Sequence, residues 1–117
     1  MLRNYFLGKE GERIACDFLE QKGYSIKEKN FRYKRAEVDI IAQKDNVLVF
    51  VEVKLRTSVR FGEPEEFVTK RKIMQLKQAA EHYVSLLTEK VFFRFDIISI
   101  LKKKNTYQIE HLEDVFL

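Results

Sequence analysis

Two apolar segments of this 117-residue chain carry charges where a core strand ordinarily has none: Glu37 and Asp39 within EVDII (37–41), and Glu52 and Lys54 within LVFVEVK (48–54). Both segments are rich in β-branched and aromatic residues and read as packed strands, where an unpaired carboxylate costs on the order of several kcal/mol. Between them Asp45-Asn46 suits a two-residue hairpin loop, since both residue types tolerate the positive φ of a type I′ turn. That loop sets Lys44 against Val47. Counting back, Asp39 falls opposite Glu52 and Glu37 opposite Lys54, and strict alternation sends all four side chains to one face. The other face then carries Val38, Ile40, Val49, Val51 and Val53, an apolar set suited to helix packing. Three carboxylates and one ammonium leave a local charge of two minus, which a divalent cation balances. Converging carboxylate oxygens suit a hard ion such as Mg²⁺. Such an ion activates a water and neutralises charge developing on a phosphate under attack, and a neighbouring lysine stabilises the same charge. The chemistry is that of phosphodiester hydrolysis.

The rest of the chain supplies elements able to hold these residues. Residues 5–22 read as a helix, with Phe6, Leu7, Ile14, Ala15, Phe18 and Leu19 at three- and four-residue spacing and Gly23 as a C-terminal stop; Glu12 lies off the centre of that stripe. Gly8 and Gly11 are poor helix formers whose use is close backbone approach to the sheet or to substrate. Tyr24–Tyr33 reads as a first strand. Its end is basic, with Lys27, Lys29, Arg32, Lys34 and Arg35 interleaved with Phe31 and Tyr33, which fits either a solvated face or a grip on a phosphate backbone. Residues 55–66 read as a loop at the edge of the site, where Arg56 and Arg60 serve solubility or clamp phosphates. A long amphipathic helix follows over 68–87, its face formed by Ile73, Leu76, Ala79, Ala80, Tyr83, Val84 and Leu87. Lys70, Arg71, Lys72 and Lys77 crowd its first half and oppose the helix dipole, a conflict that a bound anion or solvent screening relieves. Residues 91–101 and 106–112 close the chain as a hairpin, with Phe93, Phe95, Ile97 and Ile100 available to the core. Asp96 reads as a further buried-acid candidate. His82 and His111 stand alone in their segments, so a zinc site is not expected.

Composition sets outer bounds. The length suits one domain over 1–117, and 45% hydrophobic with 34% charged residues, four Gly and one Pro is the profile of a folded chain. The apolar run 47–53 falls far short of the roughly 20 residues that span a bilayer. With no secretion-signal pattern at the N-terminus and a single Cys, the expected compartment is the cytoplasm. The net charge of +4 is modest. With acids clustered at a metal site, however, the remaining surface is more positive than the total, which favours a polyanion such as nucleic acid.

Asp39, a β-turn and then Glu52-Val-Lys54 resemble the signature of the PD-(D/E)XK nuclease superfamily, with Val38 at the place where the superfamily name has proline. More closely, the chain resembles the YraN-like endonuclease family, similar in fold to archaeal Holliday junction resolvases. The resemblance runs through G8-K-E-G11-E12-R-I-A15, G23-Y24, N30-F-R32, E37-V-D39-I-I-A42, F50-V-E52-V-K54-L-R56, F61-G62-E-P64, Lys72 and R94-F-D96. It implies a restriction-endonuclease-like α/β (α+β) fold, a mixed sheet flanked by helices. It also implies that Asp39, Glu52 and Glu12 ligate Mg²⁺ or Mn²⁺ and that Lys54 assists attack or stabilises charge. Arg32, Arg56 and Lys72 are the expected substrate contacts. The implied substrate is DNA, including branched DNA, and the similar resolvases act as homodimers. The rival expectation is a nuclease-fold module that binds nucleic acid without cleaving it. A third is a structural domain in which Glu52 and Lys54 form an in-sheet ion pair.

Overall fold

A computed structural model of the chain describes residues 2–57 and 69–115. Helix α1 (Leu2–Gln21) leads into five strands and a second helix: β1 (Ser25–Tyr33), β2 (Ala36–Lys44), β3 (Val47–Arg56), α2 (Lys70–Ser85), β4 (Phe92–Lys102) and β5 (Tyr107–Leu112). Helix α1 stops where expected, because Gly23 takes φ +96 and the Gly23 and Tyr24 N–H groups turn back to the carbonyls of Glu20 and Leu19. The strands form one sheet in sequence order, with β3 and β4 parallel and every other pair antiparallel. The parallel pair needs a crossover, and α2 lies within it. This is the mixed sheet with helices that the sequence predicts. Among the described residues no helix is long and apolar enough to cross a membrane.

Alternation along β3 divides the core into two layers. Val49 and Val51 pack with Ile14, Ala15 and Leu19 of α1, while Leu48 and Phe50 pack with Leu76, Ala79 and Ala80 of α2. The helices therefore cover opposite faces of the sheet. Gly11 sets the depth at which α1 lies, since a Cβ there would meet the Leu55 Cβ at 3.2 Å and the Val53 Cγ1 at 3.4 Å; Gly8 makes no such approach.

Four expectations need correction. Val38 packs beneath α2 with Ala36 and Ile41, whereas Ile40 and Ala42 face α1, so the alternation of β2 is broken at Asp39. Across from this break Asn30 adopts a left-handed φ of 55 inside β1, a conformation asparagine tolerates better than most residues. Phe93 is 39% exposed, outside the core assigned to it. In the hairpin loop, Lys44 does pair with Val47, but only Asp45 has positive φ, so the turn is not type I′. The expected loop from residue 55 begins later, as β3 continues to Arg56, and most of it, with Arg60, lies outside the described residues.

In the middle of β4, paired with Val51, Asp96 shows how a buried carboxylate is made structural. It is 1% exposed, and its oxygens accept from Arg94 Nε (3.0 Å), Arg94 Nη2 (3.2 Å), His111 Nε2 (2.6 Å) and the Asp114 N–H (3.0 Å). Burial alone would push its pKa up, but the bonds from His111, Arg94 and Asp114 outweigh it and hold the carboxyl below its ordinary range. His111 is positioned further by Lys22, whose Nζ lies 2.8 Å from its Nδ1. Because Asp96 leaves three donors stranded when removed, Asp96→Ala is expected to lower stability by roughly 3 kcal/mol or more in urea denaturation. A loss below about 1 kcal/mol would show that the network contributes only surface-like ion pairing.

Candidate active site

The β2–β3 ladder ends at Ile40↔Val51. Beyond it the Val53 N–H does not reach a β2 carbonyl; it donates to Asp39 Oδ2 at 2.8 Å. The side chain of Asp39 thus takes the place of the next backbone bond, at the point where alternation in β2 breaks. Asp39 and Glu52 are consequently not ladder partners, and neither are Glu37 and Lys54, contrary to the count from the turn. Glu37 pairs instead with its β1 neighbour Arg32, at 2.7 Å.

The acids still converge. Glu37, Asp39 and Glu52 line one cleft of about 350 Å³ with Arg35 and Ala36 of the β1–β2 turn region and with Thr69, Arg71, Lys72, Gln75 and Leu76 at the start of α2. Glu52, 7% exposed, is held by two ammonium groups on the same oxygen: Lys72 Nζ at 2.6 Å and Lys54 Nζ at 3.5 Å from Oε1. Thr69 caps α2, its hydroxyl accepting from the Lys72 N–H at 3.1 Å, and this fixes the backbone from which Lys72 reaches β3.

Asp39 has no cation in direct contact among its described bonds. Burial, the neighbouring Glu52 and then Glu12 push its pKa up to about 7, against the pull of the Val53 N–H and Lys72. Glu12 comes from α1, on the opposite face of the sheet. It lies outside the cleft that holds the other acids and lines a second one, of about 480 Å³, between α1 and β1. Asn30 Nδ2 donates to its Oε1 at 3.0 Å, so the left-handed residue of β1 orients the acid of α1. Arg32 reaches the rim only through Glu37, and Arg56 stands at the end of β3 outside both cleft linings.

Two residues here escaped the sequence reading in the role they take. Asn30 is a weak strand former, and its place inside β1 was the available signal. For Lys72 the sequence predicts a substrate contact and not its pairing with Glu52, which is made across the whole β3–α2 connection and is encoded by no local pattern.

The family model for UPF0102, described as an uncharacterised protein family, matches residues 11–100. The chain belongs to the UPF0102 family, the YraN family. It is 49% identical over 110 residues to a UPF0102 protein of Flavobacterium psychrophilum, covering 94% of this chain and 92% of that one. A UPF0102 protein of Thermodesulfovibrio yellowstonii is also 49% identical over 110 residues, with 94% and 95% covered. One from Syntrophomonas wolfei is 45% identical over 115 residues, with 97% and 99% covered. Glu12, Asp39, Glu52, Lys54 and Lys72 of this UPF0102 protein all fall inside the matched span.

Among the described residues, the set of three ligand-type side chains whose ligand atoms lie within 4.8 Å of one another is Asp96, His111 and Glu113, and no three acids of the cleft come that close. His111 is therefore not isolated in space as it is in sequence. A cation already stands beside this group: Arg94 is bonded to Asp96 and lies 3.5 Å from Glu113.

The elevated pKa of Asp39 has a definite sign in folding. Its folded value of about 7 lies above the ordinary 3.8, so protonation favours the metal-free fold fully below about pH 4, and that contribution is lost as pH rises through 7. With chelator present, Asp39→Asn should match wild-type stability near pH 4. It should exceed it by on the order of a few kcal/mol at pH 8, by urea denaturation at stepped pH. A difference that stays flat with pH would remove Asp39 from the strained position assigned to it.

Proposed function

We propose that this UPF0102 protein is a Mg²⁺- or Mn²⁺-dependent endonuclease that hydrolyses phosphodiester bonds in DNA. The observation that carries the reading is the meeting of Asp39 and Glu52 in one cleft at the end of the β2–β3 ladder, with ammonium groups on Glu52. The donor set fits a hard dication. It consists of carboxylate oxygens, and Asp39 is destabilised as an anion by burial and by a second acid, a condition that a doubly charged ion relieves. Asp39 and Glu52 would hold the ion. Glu12, whose charge already reaches Asp39, would join through a water or a shift of α1. The ion, when bound, would lower the pKa of an attacking water and offset charge on the phosphate.

The chain's own groups divide the remaining work. Lys54 is outside the cleft lining but stands 3.5 Å from Glu52, and from there its ammonium would stabilise the extra negative charge of the pentacoordinate phosphorus. Arg35 and Arg71 at the lining supply positive charge to the flanking phosphates, and Arg32 extends it outward beside Glu37. The resemblance to PD-(D/E)XK nucleases and Holliday junction resolvases supports the same assignment and suggests branched DNA and a homodimer. The competing module that binds without cleaving draws on the Glu52 ion pairs, in which Lys72 and Lys54 balance the charge of that acid.

Purified protein with Mn²⁺ should nick supercoiled plasmid or a four-way junction. Asp39→Ala and Lys54→Ala should each lower the rate by about 100-fold or more. DNA binding retained with no metal-dependent nicking in the wild type would instead establish the non-cleaving module.

A further inference from the structure

Lys72 contributes one of the shortest polar contacts in the cleft, with Nζ 2.6 Å from Glu52 Oε1, while Lys54 stands at 3.5 Å from the same atom. A metal ligated by that oxygen would lie about 2.1 Å from it. Glu52 is only 7% exposed, so a dication and the Lys72 ammonium would be crowded against each other with little water between them. Repulsion between a double and a single positive charge at such a range is large compared with thermal energy even with partial solvent screening. The two cations compete for one carboxylate.

From this geometry we infer that Lys72 is an internal counter-ion which occupies the charge position of the divalent metal in the metal-free protein, and which metal binding releases toward the nucleic-acid backbone. The inference rests on the metal site proposed above and adds an ordered exchange to it. Its parts are visible. The Lys72 backbone stays fixed because its N–H is bonded to the Thr69 cap, while the flexible side chain, 35% exposed, can turn into the cleft without moving α2. There it would join Arg71 and Arg35 at the lining. The sequence expectation of a substrate contact for Lys72 and its observed contact with Glu52 then describe the two ends of one exchange.

The test compares Mn²⁺ affinity in the wild type and in Lys72→Met, which keeps most of the length of the side chain and removes its charge. Free Mn²⁺ is measured by electron paramagnetic resonance at pH 8, where proton competition at Asp39 is small. Release of an internal competitor predicts binding at least tenfold tighter in the variant. Equal or weaker binding by Lys72→Met, with the wild type binding normally, overturns the inference and leaves the metal site standing. Absence of saturable binding in the wild type overturns the metal site itself. Should Lys72→Met fold poorly, the wild type supplies an independent measure. With non-cleaving Ca²⁺, DNA affinity must rise as the ion loads, because a ligand that frees Lys72 must itself bind more tightly when DNA is present. A DNA affinity that is unchanged or falls with Ca²⁺ overturns the exchange.

Discussion

Negative charge held at the end of an apolar ladder is the constraint around which this molecule is arranged. β2 and β3 pair regularly from the turn as far as Ile40↔Val51, and there the backbone stops satisfying itself. The Val53 N–H turns to the carboxylate of Asp39. A side chain that replaces a ladder bond must stay at the sheet's level, so it cannot escape to solvent as an exposed acid would. Glu52 is buried beside it for the same reason, being the residue of β3 that faces α2 at that level. Each neighbouring element then answers the charge: α2 with Lys72, β3 with Lys54 and β1 with Arg32 on Glu37.

Two aspartates in the same sheet show how the available donors decide what burial does to an acid. Asp96 has its oxygens filled by Arg94, His111 and the Asp114 N–H, and its pKa is held down despite burial. Asp39 accepts from one backbone N–H, faces other acids, and its pKa is pushed up to about 7. Burial acts in the same direction on both. The difference lies in the donors, and an under-satisfied acid in a cleft is the arrangement expected where an external cation completes the site. By that measure the Asp96, His111 and Glu113 group, though composed of ligand-type residues, already contains its cation in Arg94.

Much of this could be read from residue order. Charged residues inside β-branched segments announced the cleft, and the two-residue turn gave the register Lys44↔Val47. The helical stripes placed Leu76, Ala79 and Ala80 in the core beneath α2, where they lie. What alternation could not reveal was where it would stop. A period of two predicts parity along a strand, but leaving a neighbouring strand depends on whether a side chain outcompetes a carbonyl for one N–H, and Asp39 does so at Val53. Val38 was accordingly assigned to the wrong face, and Glu37 to the wrong partner. Contacts between distant segments were equally hidden, as with Lys72 on Glu52 and Asn30 on Glu12.

The placement of Glu12 follows from packing rather than from charge. α1 lies against β3 at a depth set by Gly11, where even a methyl group would press on the Cβ of Leu55. That contact fixes how near the next residue, Glu12, stands to the break in β2. Asn30 then orients its carboxylate from the kinked side of β1, so that an acid from one face of the sheet raises the pKa of Asp39 while a lysine from the other face lowers it. The end of the β2–β3 ladder is thus a level at which both helices act on the same carboxylate. An ion bound there would experience both, and a change in the seating of either helix would alter its affinity without touching a ligand.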